Sequence, residues 1–350
     1  MIASASKSKA RASAAVQRGR ISIESSVTHS CLSLTDGPPR RGQAQPSYLQ
    51  KRLFQSQVWL KKGSDRSSDC GSPMVFPGAV DSVNGDDSVG SVAVVKSSEG
   101  RTLGWGFYNP TSFYRVRLAH ILSRDGPIPE PFDCSEALKK IIEKAIERRT
   151  CIGLPNAQTD MYRLIHWEGD SLSGLAVDLY GKIAVCHVTA AWLEVHRKAV
   201  EAALRPFCDN VVWLRAPDRL AQDGLEVPHA PPAAASERFR DHNLGVTLPT
   251  GYIVAKENGI NFAVNPNGRK SGHFLDNREN RLALREMIAR RAPIGGQDTS
   301  KPLKVLDLCC FSGAFSLNAV AGALRAGAPI HVTAVDINQK FIDMGMRNAA

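Results

Sequence analysis

Alternating apolar and polar positions predict a β-rich region ahead of residue 122. QVWLKKG has the pattern of a short strand, GSVAVVKSSEGRTLGWGFYNP that of two strands joined by a Ser-Ser-Glu-Gly turn, and SFYRVRLA that of a further strand. The Pro-rich stretch RDGPIPEP (124–131) then reads as a linker. We therefore predict a small β-domain over residues 53–122.

The next region mixes helical and strand periodicity. CSEALKKIIEKAIERR places its apolar residues on one helical stripe, formed by Leu138, Ile141, Ile142, Ala145 and Ile146. Strand-like runs and the helical stretch WLEVHRKAVEAALRPF follow, and GLEVPHAPPAAASER is expected to be a surface loop. The pattern predicts an α+β domain over residues 132–270.

From residue 271 strands and helices alternate. DNRENRLALREMIARR predicts a helix with Asp276 as N-cap and Glu279 completing a capping box. LKVLDLCC is expected to be a buried strand, AFSLNAVAGALRAG a helix ended by Gly327, IHVTAVD a second strand and QKFIDMGMRNAA a further helix. This β-α-β-α order is typical of a doubly wound parallel sheet. Because such sheets need more strands, we expect residues 271–350 to be the start of a longer domain.

Charge separates a leader from the rest of the chain. The net charge is +10, but residues 1–52 hold nine Lys or Arg and two acids, which leaves 35 basic and 32 acidic residues, or +3, elsewhere. A leader rich in Ser, Ala and Arg is typical of an organelle transit peptide, and its serine content favours a plastid over a mitochondrion. The alternative is a disordered basic tail that contacts RNA, in an otherwise cytoplasmic protein.

Composition also excludes several classes of protein. No apolar stretch approaches the ~20 residues of a membrane span, so no membrane insertion is expected. The eight cysteines form no C-x-x-C pair, which argues against a zinc ribbon or a disulfide framework and favours a reducing compartment. His166, His187 and His273 lack a mutual ligand spacing, so we expect no metal.

The first β-α turn of the C-terminal region carries the candidate chemistry. It has one glycine, Gly313, instead of the G-x-G-x-x-G pattern that suits a pyrophosphate. Asp307 near one strand end suits a positively charged ligand such as S-adenosylmethionine, and Asp336 at the end of the next strand suits ribose hydroxyls. Phe311 or Phe315 could line that pocket; alternatively Asp307 caps the turn and both rings belong to the core. A dinucleotide dehydrogenase is disfavoured by the lone glycine, and adjacent Cys309 and Cys310 are interpreted as packing residues.

Several motifs together resemble one family, the PUA-domain methyltransferases of large-subunit ribosomal RNA that modify cytosine C5 (methyltransferase I). The matching stretches are VWLKKG, SPMVFPGAV, GWGFYNPTSFYRVRL, YRLIHWEGDSLSGLAVDLYG, ENGINFAVNPNGRKSGHFLDNRENR and VLDLCCFSGAFSL. The resemblance spans about residues 56–350. It implies a multidomain α/β and α+β protein with an N-terminal PUA-like β-barrel, a central α+β domain and an incomplete, Rossmann-like methyltransferase domain.

By position, the resemblance implies a set of site residues for S-adenosylmethionine. They are Asp307, Phe311, Ser312, Gly313, Ala314 and Phe315, with Asp336 on the ribose. Asp276 and Arg278 are implied to flank the methionine end, where Arg278 could pair with the carboxylate; the alternative is that both only support their helix.

The resemblance further implies ribosomal RNA as partner and a catalytic thiolate that lies beyond residue 350, so no catalytic residue is assigned within this chain. Two rivals stay open: a guanine-N2 methyltransferase of ribosomal RNA, and a non-catalytic PUA-type RNA-binding factor. The sequence leaves the oligomeric state open.

Overall fold

The computed structural model describes residues 54–228, 251–265, 272–291 and 302–349. The predicted leader (1–52) and most of the Pro-Ala loop (224–238) lie outside these ranges, so the transit peptide and the organelle stay predictions. In the described ranges, none of the helices has the length and apolar character needed to cross a membrane.

Six strands of the N-terminal region form one sheet. The strands are β1 (Ser56–Leu60), β2 (Met74–Val75), β3 (Val80–Gly85), β4 (Val92–Lys96), β5 (Thr102–Tyr108) and β6 (Val116–Ile121), with short helices α1 (Arg66–Asp69) and α2 (Leu122–Asp125). Their order is β2-β6-β5-β4-β1-β3, antiparallel except for the β1–β4 pair. Among residues 54–125 the edge strands β2 and β3 do not pair with each other, so the barrel stays a prediction.

Two glycines in β5 are required by the close approach of β6. A Cβ at Gly104 would lie 2.1 Å from the carbonyl oxygen of His120, and one at Gly106 would lie 2.1 Å from that of Arg117. The register between the two strands shifts at Trp105 and Gly106. Any side chain at these glycines would push the strands apart, which explains the Gly-Trp-Gly pattern physically.

A second, four-stranded sheet forms the middle of the protein. Its strands are β7 (Met161–His166), β8 (Leu175–Tyr180), β9 (Ile183–Val188) and β10 (Asn210–Arg215), in the order β10-β9-β8-β7. Its helices are α3 (Cys134–Cys151), α4 (Trp192–Val195), α5 (Arg197–Leu204) and α6 (Pro217–Gln222). The carboxylate of Asp133 caps α3 by accepting the Glu136 N–H at 2.8 Å, and the predicted apolar stripe faces the core at Leu138 and Ile142.

The single helix predicted for WLEVHRKAVEAALRPF is two helices, α4 and α5, in the structure. Between α4 and α5 the backbone of His196 leaves the helical region, with φ −99° and ψ 14°. Its ring Nε2 lies 2.8 Å from the carbonyl oxygen of Gly90, and the ring packs 4.9 Å from that of Phe107. This contact with the first sheet competes with the local helical preference and interrupts the helix.

The two sheet regions share a core and a buried polar junction. The rings of Phe107 and Trp192 stack at 3.9 Å. Asp223, which is 3% exposed, accepts hydrogen bonds from the Ser112 hydroxyl, from Arg117 (3.2 Å) and from the Ala191 N–H (2.8 Å). The motif NPTS therefore joins the first sheet to the segment after α6.

The remaining strands and helices form a β-hairpin and a parallel β-α-β unit. They are β11 (Ile253–Glu257), β12 (Ile260–Val264), α7 (Arg278–Arg291), β13 (Leu303–Leu308), α8 (Ala314–Arg325), β14 (Ile330–Val335) and α9 (Gln339–Ala349). The hairpin is β11–β12 and the parallel unit is β13-α8-β14, with α7 before that unit and α9 after it. Strands β13 and β14 pair in parallel, as the β-α-β-α pattern predicts.

Two local expectations in this unit were wrong. A 3-10 turn, Leu275–Asn277, precedes α7, so Asp276 is not its N-cap, and the Glu279 carboxylate accepts from Arg278 Nε at 2.9 Å instead of closing a capping box. Strand β13 is also not buried on both faces, because Leu306 and Leu308 are 62% and 65% exposed. In the described ranges, α7 and α8 pack on one face of this sheet, through residues such as Val305 and Ile288.

Candidate cofactor site

The loop between β13 and α8 has an unusual backbone. Cys309, Phe311 and Gly313 have φ values of 58°, 51° and 75°, all in the left-handed region. Non-glycine residues in that region cost free energy and persist where surrounding contacts hold them, often at functional sites. The contacts that hold this loop come from both neighbouring strands.

Asp336, directly after β14, ties that strand to the loop. One carboxylate oxygen accepts the N–H of Phe311 at 3.0 Å, and the other accepts the N–H of Asn338 at 2.9 Å. The N–H of Cys310 also donates to the carbonyl of Val335 at 3.0 Å. The half-buried Asp336 therefore lies at the carboxyl edge of the sheet, beside the glycine-poor turn.

Asp307 connects β13 to the start of α8. Its Oδ2 accepts the N–H of Ser316 at 3.1 Å and the Ser316 hydroxyl at 2.7 Å. A carboxylate at a helix N-terminus is favourable because it faces unpaired N–H groups and the positive end of the helix dipole. Asp307 therefore joins β13 to the first turn of α8, and it lies at the same edge as Asp336.

Helix α9 closes over the other side of the loop. A Cβ built at Gly313 would lie 3.4 Å from Gly345 Cα, so the two backbones nearly touch. The Asn348 side chain donates to the carbonyl of Ser312 at 3.1 Å and accepts the N–H of Ala263 in β12 at 2.8 Å. The Ser312 hydroxyl is buried and has no partner among the described residues. An unpaired buried hydroxyl is costly, and it marks this loop as a place where a ligand group can bind.

The two predicted aromatic residues occupy different surroundings. The Phe311 ring lies between the rings of Phe274 and Phe341, at 5.0 and 4.3 Å. The Phe315 ring lies 5.7 Å from the guanidinium carbon of Arg281. Both phenylalanines are half-buried.

Seven of the predicted site residues lie together around this loop, and the other two, Asp276 and Arg278, make no hydrogen bond to it in the described ranges. The seven are Asp307, Phe311, Ser312, Gly313, Ala314, Phe315 and Asp336. Asp276 is exposed, and it follows two residues after Phe274, whose ring contacts that of Phe311. Arg278 Nε donates to Glu279, and in the ranges that the structure describes Arg278 forms no hydrogen bond or ion pair with the loop.

A buried charged cluster behind the loop was missed by sequence reasoning. Glu257 is 0% exposed and accepts two hydrogen bonds from Arg281, at 2.6 and 2.7 Å. Arg281 also donates to the carbonyl of Phe274 at 2.8 Å, and His273 Nε2 lies 3.3 Å from the Glu257 carboxylate. The cluster therefore fixes the segment that carries Phe274. Its residues lie inside the motif ENGINFAVNPNGRKSGHFLDNRENR, but their spacing along the chain gives no local signal of the pairing.

Burial and hydrogen bonding shift the pKa values of Glu257 and His273 in opposite directions. Burial raises the pKa of Glu257, but hydrogen bonds from His273 and Arg281 outweigh it, so the pKa lies below its ordinary value. Burial lowers the pKa of His273, and this effect outweighs the opposite effect of its hydrogen bond to the Glu257 carboxylate. Glu257 is thus held charged and His273 neutral near pH 7.

A second missed residue, Arg285, links three elements. Its Nη1 donates to the carbonyl of Asn258 in the β11–β12 turn at 2.6 Å, and its Nε and Nη2 donate to Asn318 Oδ1 at 3.1 and 2.7 Å. Asn318 is 0% exposed and donates to the carbonyl of Ala314, the first residue of α8. This chain of hydrogen bonds connects the hairpin and α7 to the start of α8.

The two adjacent cysteines differ in exposure. Cys310 is buried, as expected for a packing residue, and burial followed by the charges of Asp307 and Asp336 raises its pKa. Cys309 is exposed, so its interpretation as a packing residue was wrong. Its left-handed backbone turns the side chain out of the strand pattern that the sequence suggested. In the ranges described, no group of three or more His, Cys, Asp or Glu is placed to hold a metal ion.

The fold and the site together define a class of protein. A β-rich sheet region is joined to a mixed α/β region, which is followed by a parallel β-α-β unit whose strands end on acids beside one loop. In open parallel sheets this edge is where nucleotide-like cofactors bind. The chain is a multidomain α/β protein with a cofactor-binding edge of this kind.

Comparison with known proteins identifies the family. A family model described as a PUA-like domain matches residues 58–120. A "Ribosomal RNA large subunit methyltransferase I" of Alteromonas mediterranea is 30% identical over 302 residues, which covers 84% of this chain and 66% of that protein. A relative of the same name from Klebsiella pneumoniae is 28% identical, and one from Escherichia coli is 26% identical, each covering 83% of this chain. The chain belongs to this methyltransferase I family.

Solved structures agree on the fold. A proposed SAM-dependent methyltransferase from Streptococcus mutans superimposes with a TM-score of 0.56 at 18% identity, covering 83% of this chain and 66% of that one. A proposed methyltransferase in complex with SAH gives a TM-score of 0.57, also at 18% identity, covering 83% and 65%. This chain spans slightly less than two thirds of the length of its curated relatives.

Proposed function

We propose that this chain is part of an S-adenosylmethionine-dependent methyltransferase of large-subunit ribosomal RNA, and that its target atom is C5 of a cytosine. The observation that carries the proposal is the loop held by Asp336: a turn with a single glycine, between two strand-end acids, at the carboxyl edge of a parallel sheet. The names of the relatives support ribosomal RNA as the substrate.

The donor set suits this cofactor better than a dinucleotide. Two carboxylates, Asp307 and Asp336, lie at one edge, where they would repel a pyrophosphate and attract an ammonium or sulfonium group. Each carboxylate oxygen has two lone pairs, so Asp336 can still accept from ribose hydroxyls while it holds the loop. The buried, unpaired hydroxyl of Ser312 offers a further polar contact.

When bound, S-adenosylmethionine supplies the methyl group. Within this chain, Asp336 would hold the ribose, Asp307 would lie toward the positively charged end, and Phe311 and Phe315 would line the pocket. Asp276 would lie at the methionine end of the cofactor. Arg278 would leave Glu279 and pair with the carboxylate of that methionine end. The Glu257–Arg281 pair and Asn348 hold the supporting elements in place.

The target cytosine must leave its base stack to be reached, because C5 is otherwise enclosed by neighbouring bases. We assign no catalytic nucleophile among the described residues. The raised pKa of the buried Cys310 thiol argues against that residue, since the thiolate is the reactive form.

Calorimetric titration of the chain with S-adenosylmethionine tests the cofactor. Asp336→Asn preserves the size and removes the charge, and the exposed Asp343→Asn in α9 is the matched control. Hydrogen bonds to a charged group contribute about 1.5–3 kcal/mol, so Asp336→Asn should bind roughly 10- to 150-fold more weakly. Unchanged binding by a folded Asp336→Asn variant would place the cofactor elsewhere, and no binding by the native chain would refute the proposal.

The position of the methyl group is tested separately. Ribosomal RNA incubated with the protein and labelled cofactor is digested to nucleosides and analysed by mass spectrometry. Methylation at cytosine C5 is the expected product. If the product is a methylated guanine, the protein is still an RNA methyltransferase, but the proposal of cytosine as the target base is wrong.

A further inference from the structure

Three aromatic side chains that do not belong to the hydrophobic core of the first sheet cluster on its surface. Phe76 and Phe113 are 41% and 67% exposed, and Tyr114 is half-buried beside them. The ring centroids are 5.3 Å apart for Phe76–Phe113, 5.8 Å for Phe76–Tyr114 and 5.7 Å for Phe113–Tyr114. We call these three residues the aromatic triad. Exposed apolar patches of this kind commonly mark binding sites.

The triad is held rigidly. The Asn109 side chain accepts the N–H groups of Thr111 (3.0 Å) and Ser112 (3.1 Å), and the Ser112 hydroxyl accepts the N–H of Tyr114 at 3.0 Å. On the inner side, the guanidinium carbon of the buried Arg117 lies 4.6 Å from the centroid of the Tyr114 ring. The loop that presents Phe113 is therefore fixed before any ligand binds, which lowers the entropic cost of binding.

No two rings of the triad are stacked on each other. The interplanar angles are 67° for Phe76–Phe113 and 78° for Phe113–Tyr114, which are edge-on arrangements. Because Phe113 is 67% exposed, most of its ring faces water. A flat aromatic ligand could therefore lie against it, and nucleobases are such ligands.

The charges around the triad favour a polyanion. The ammonium of Lys61 donates to the carbonyl of Gly78 at 3.1 Å, two residues from Phe76, and Lys62 beside it is exposed. The two acids of α1 are already paired with Arg101, at 3.2 Å for Asp65 and 2.8 Å for Asp69. Asp81 is an exposed acid that shares a surface depression with the two lysines. When the exposed Arg66 is counted, this edge carries four basic residues (Lys61, Lys62, Arg66 and Arg101) and three acids (Asp65, Asp69 and Asp81), so its net charge is +1, which is compatible with phosphate contacts.

We infer that the aromatic triad is a stacking site for an unpaired base of the RNA substrate, with Phe113 as its main platform. The inference rests on the proposed function, because it supplies a docking contact for the ribosomal RNA that uses none of the residues of the β13–α8 loop. Sequence-specific proteins commonly read RNA at unpaired bases that are splayed out and stacked on aromatic side chains.

The test is a binding measurement by fluorescence anisotropy at one fixed salt concentration, with the full chain and without cofactor. The two probes are an RNA hairpin with an unpaired loop and a fully paired RNA duplex of equal charge. Base stacking contributes about 1–3 kcal/mol per base, so Phe113→Ala should bind the hairpin roughly 5- to 150-fold more weakly. Its affinity for the duplex should stay within about twofold, because phosphate contacts are unaffected.

Further variants separate stacking from general apolar contact. Phe113→Tyr keeps the ring and should bind the hairpin like the native chain, whereas Phe113→Leu should bind it as weakly as Phe113→Ala. Ile152→Ala is the matched control, since Ile152 is also 67% exposed but lies at the end of α3.

The inference is overturned if Phe113→Leu retains native affinity, if hairpin and duplex lose affinity equally, or if the native chain binds neither RNA. A native affinity of Phe113→Leu would point to an apolar protein partner for this surface. Since cofactor is absent from the assay, a failure here leaves the calorimetric test of the cofactor site unaffected, and the reverse also holds.

Discussion

The Glu257–Arg281 pair offers the sharpest test of the structure, because it is buried and joins the β11–β12 hairpin to α7. Arg281→Leu removes the guanidinium and leaves the Glu257 carboxylate, which is 0% exposed, without its main partner. Arg281 is itself 2% exposed and donates at 2.6 and 2.7 Å to Glu257 and at 2.8 Å to the Phe274 carbonyl. Removing one partner of a buried ion pair costs about 3–5 kcal/mol.

The measurement is hydrogen exchange of the β11–β12 amides, followed by mass spectrometry. It reads the local opening free energy and does not require the whole chain to unfold in one step. A loss of about 3–5 kcal/mol corresponds to exchange that is roughly 150- to 5,000-fold faster. Arg290→Leu, an exposed arginine on the same helix, should change the free energy by no more than about 0.5 kcal/mol.

A double variant checks the physical cause. Glu257→Leu combined with Arg281→Leu removes both charges, so no carboxylate is left buried alone, and the loss of protection should be smaller than in Arg281→Leu. If the β11–β12 amides of Arg281→Leu exchange at rates within about threefold of those of the native chain, the Glu257–Arg281 pair does not contribute the stability expected from its burial. An equal or larger loss in the double variant would show that packing matters more than the unpaired charge.

Two further predictions concern His273 and Gly322. Because the pKa of His273 is lowered in the folded protein, the unfolded chain binds more protons than the folded one from about pH 6.5 downward. The free energy of unfolding therefore decreases as the pH is lowered through that window. His273→Asn should flatten the fall of the thermal midpoint between about pH 7.5 and pH 5, and an unchanged slope would contradict the assignment. At Gly322 in α8 a Cβ would lie 2.5 Å from the carbonyl oxygen of Arg285 in α7. Gly322→Ala should therefore lower stability by about 1–3 kcal/mol, measured by hydrogen exchange in both helices, while alanine at the exposed Asn280 should not.

Much of the local structure followed from the pattern of residues alone. The strands around the Ser-Ser-Glu-Gly turn, the apolar stripe of α3 and the parallel β-α-β order all appear as predicted. The acids near the ends of β13 and β14 could also be placed at one edge, because parallel strands present their carboxyl ends on the same side of a sheet. These features depend on periodicity and on residues close together along the chain.

Other features were decided by contacts between distant residues. The pairing of Glu257 with Arg281, the junction of Asp223 with the NPTS motif and the interruption at His196 each join segments that the sequence keeps apart. Periodicity carries no information about such contacts, because each partner is compatible with its local element whether or not the other is near.

The cofactor site combines features that the sequence predicts with features that only the folded structure decides. Its residue types and the lone glycine were readable from the sequence, so the sequence by itself determined the kind of cofactor that we propose. Only the tertiary structure decided that Asp336 accepts the Phe311 N–H, and that Cys309 is exposed while Cys310 is buried. The reason is that the direction of a side chain depends on backbone angles and on packing partners, and here both are set by elements brought together only in the folded chain.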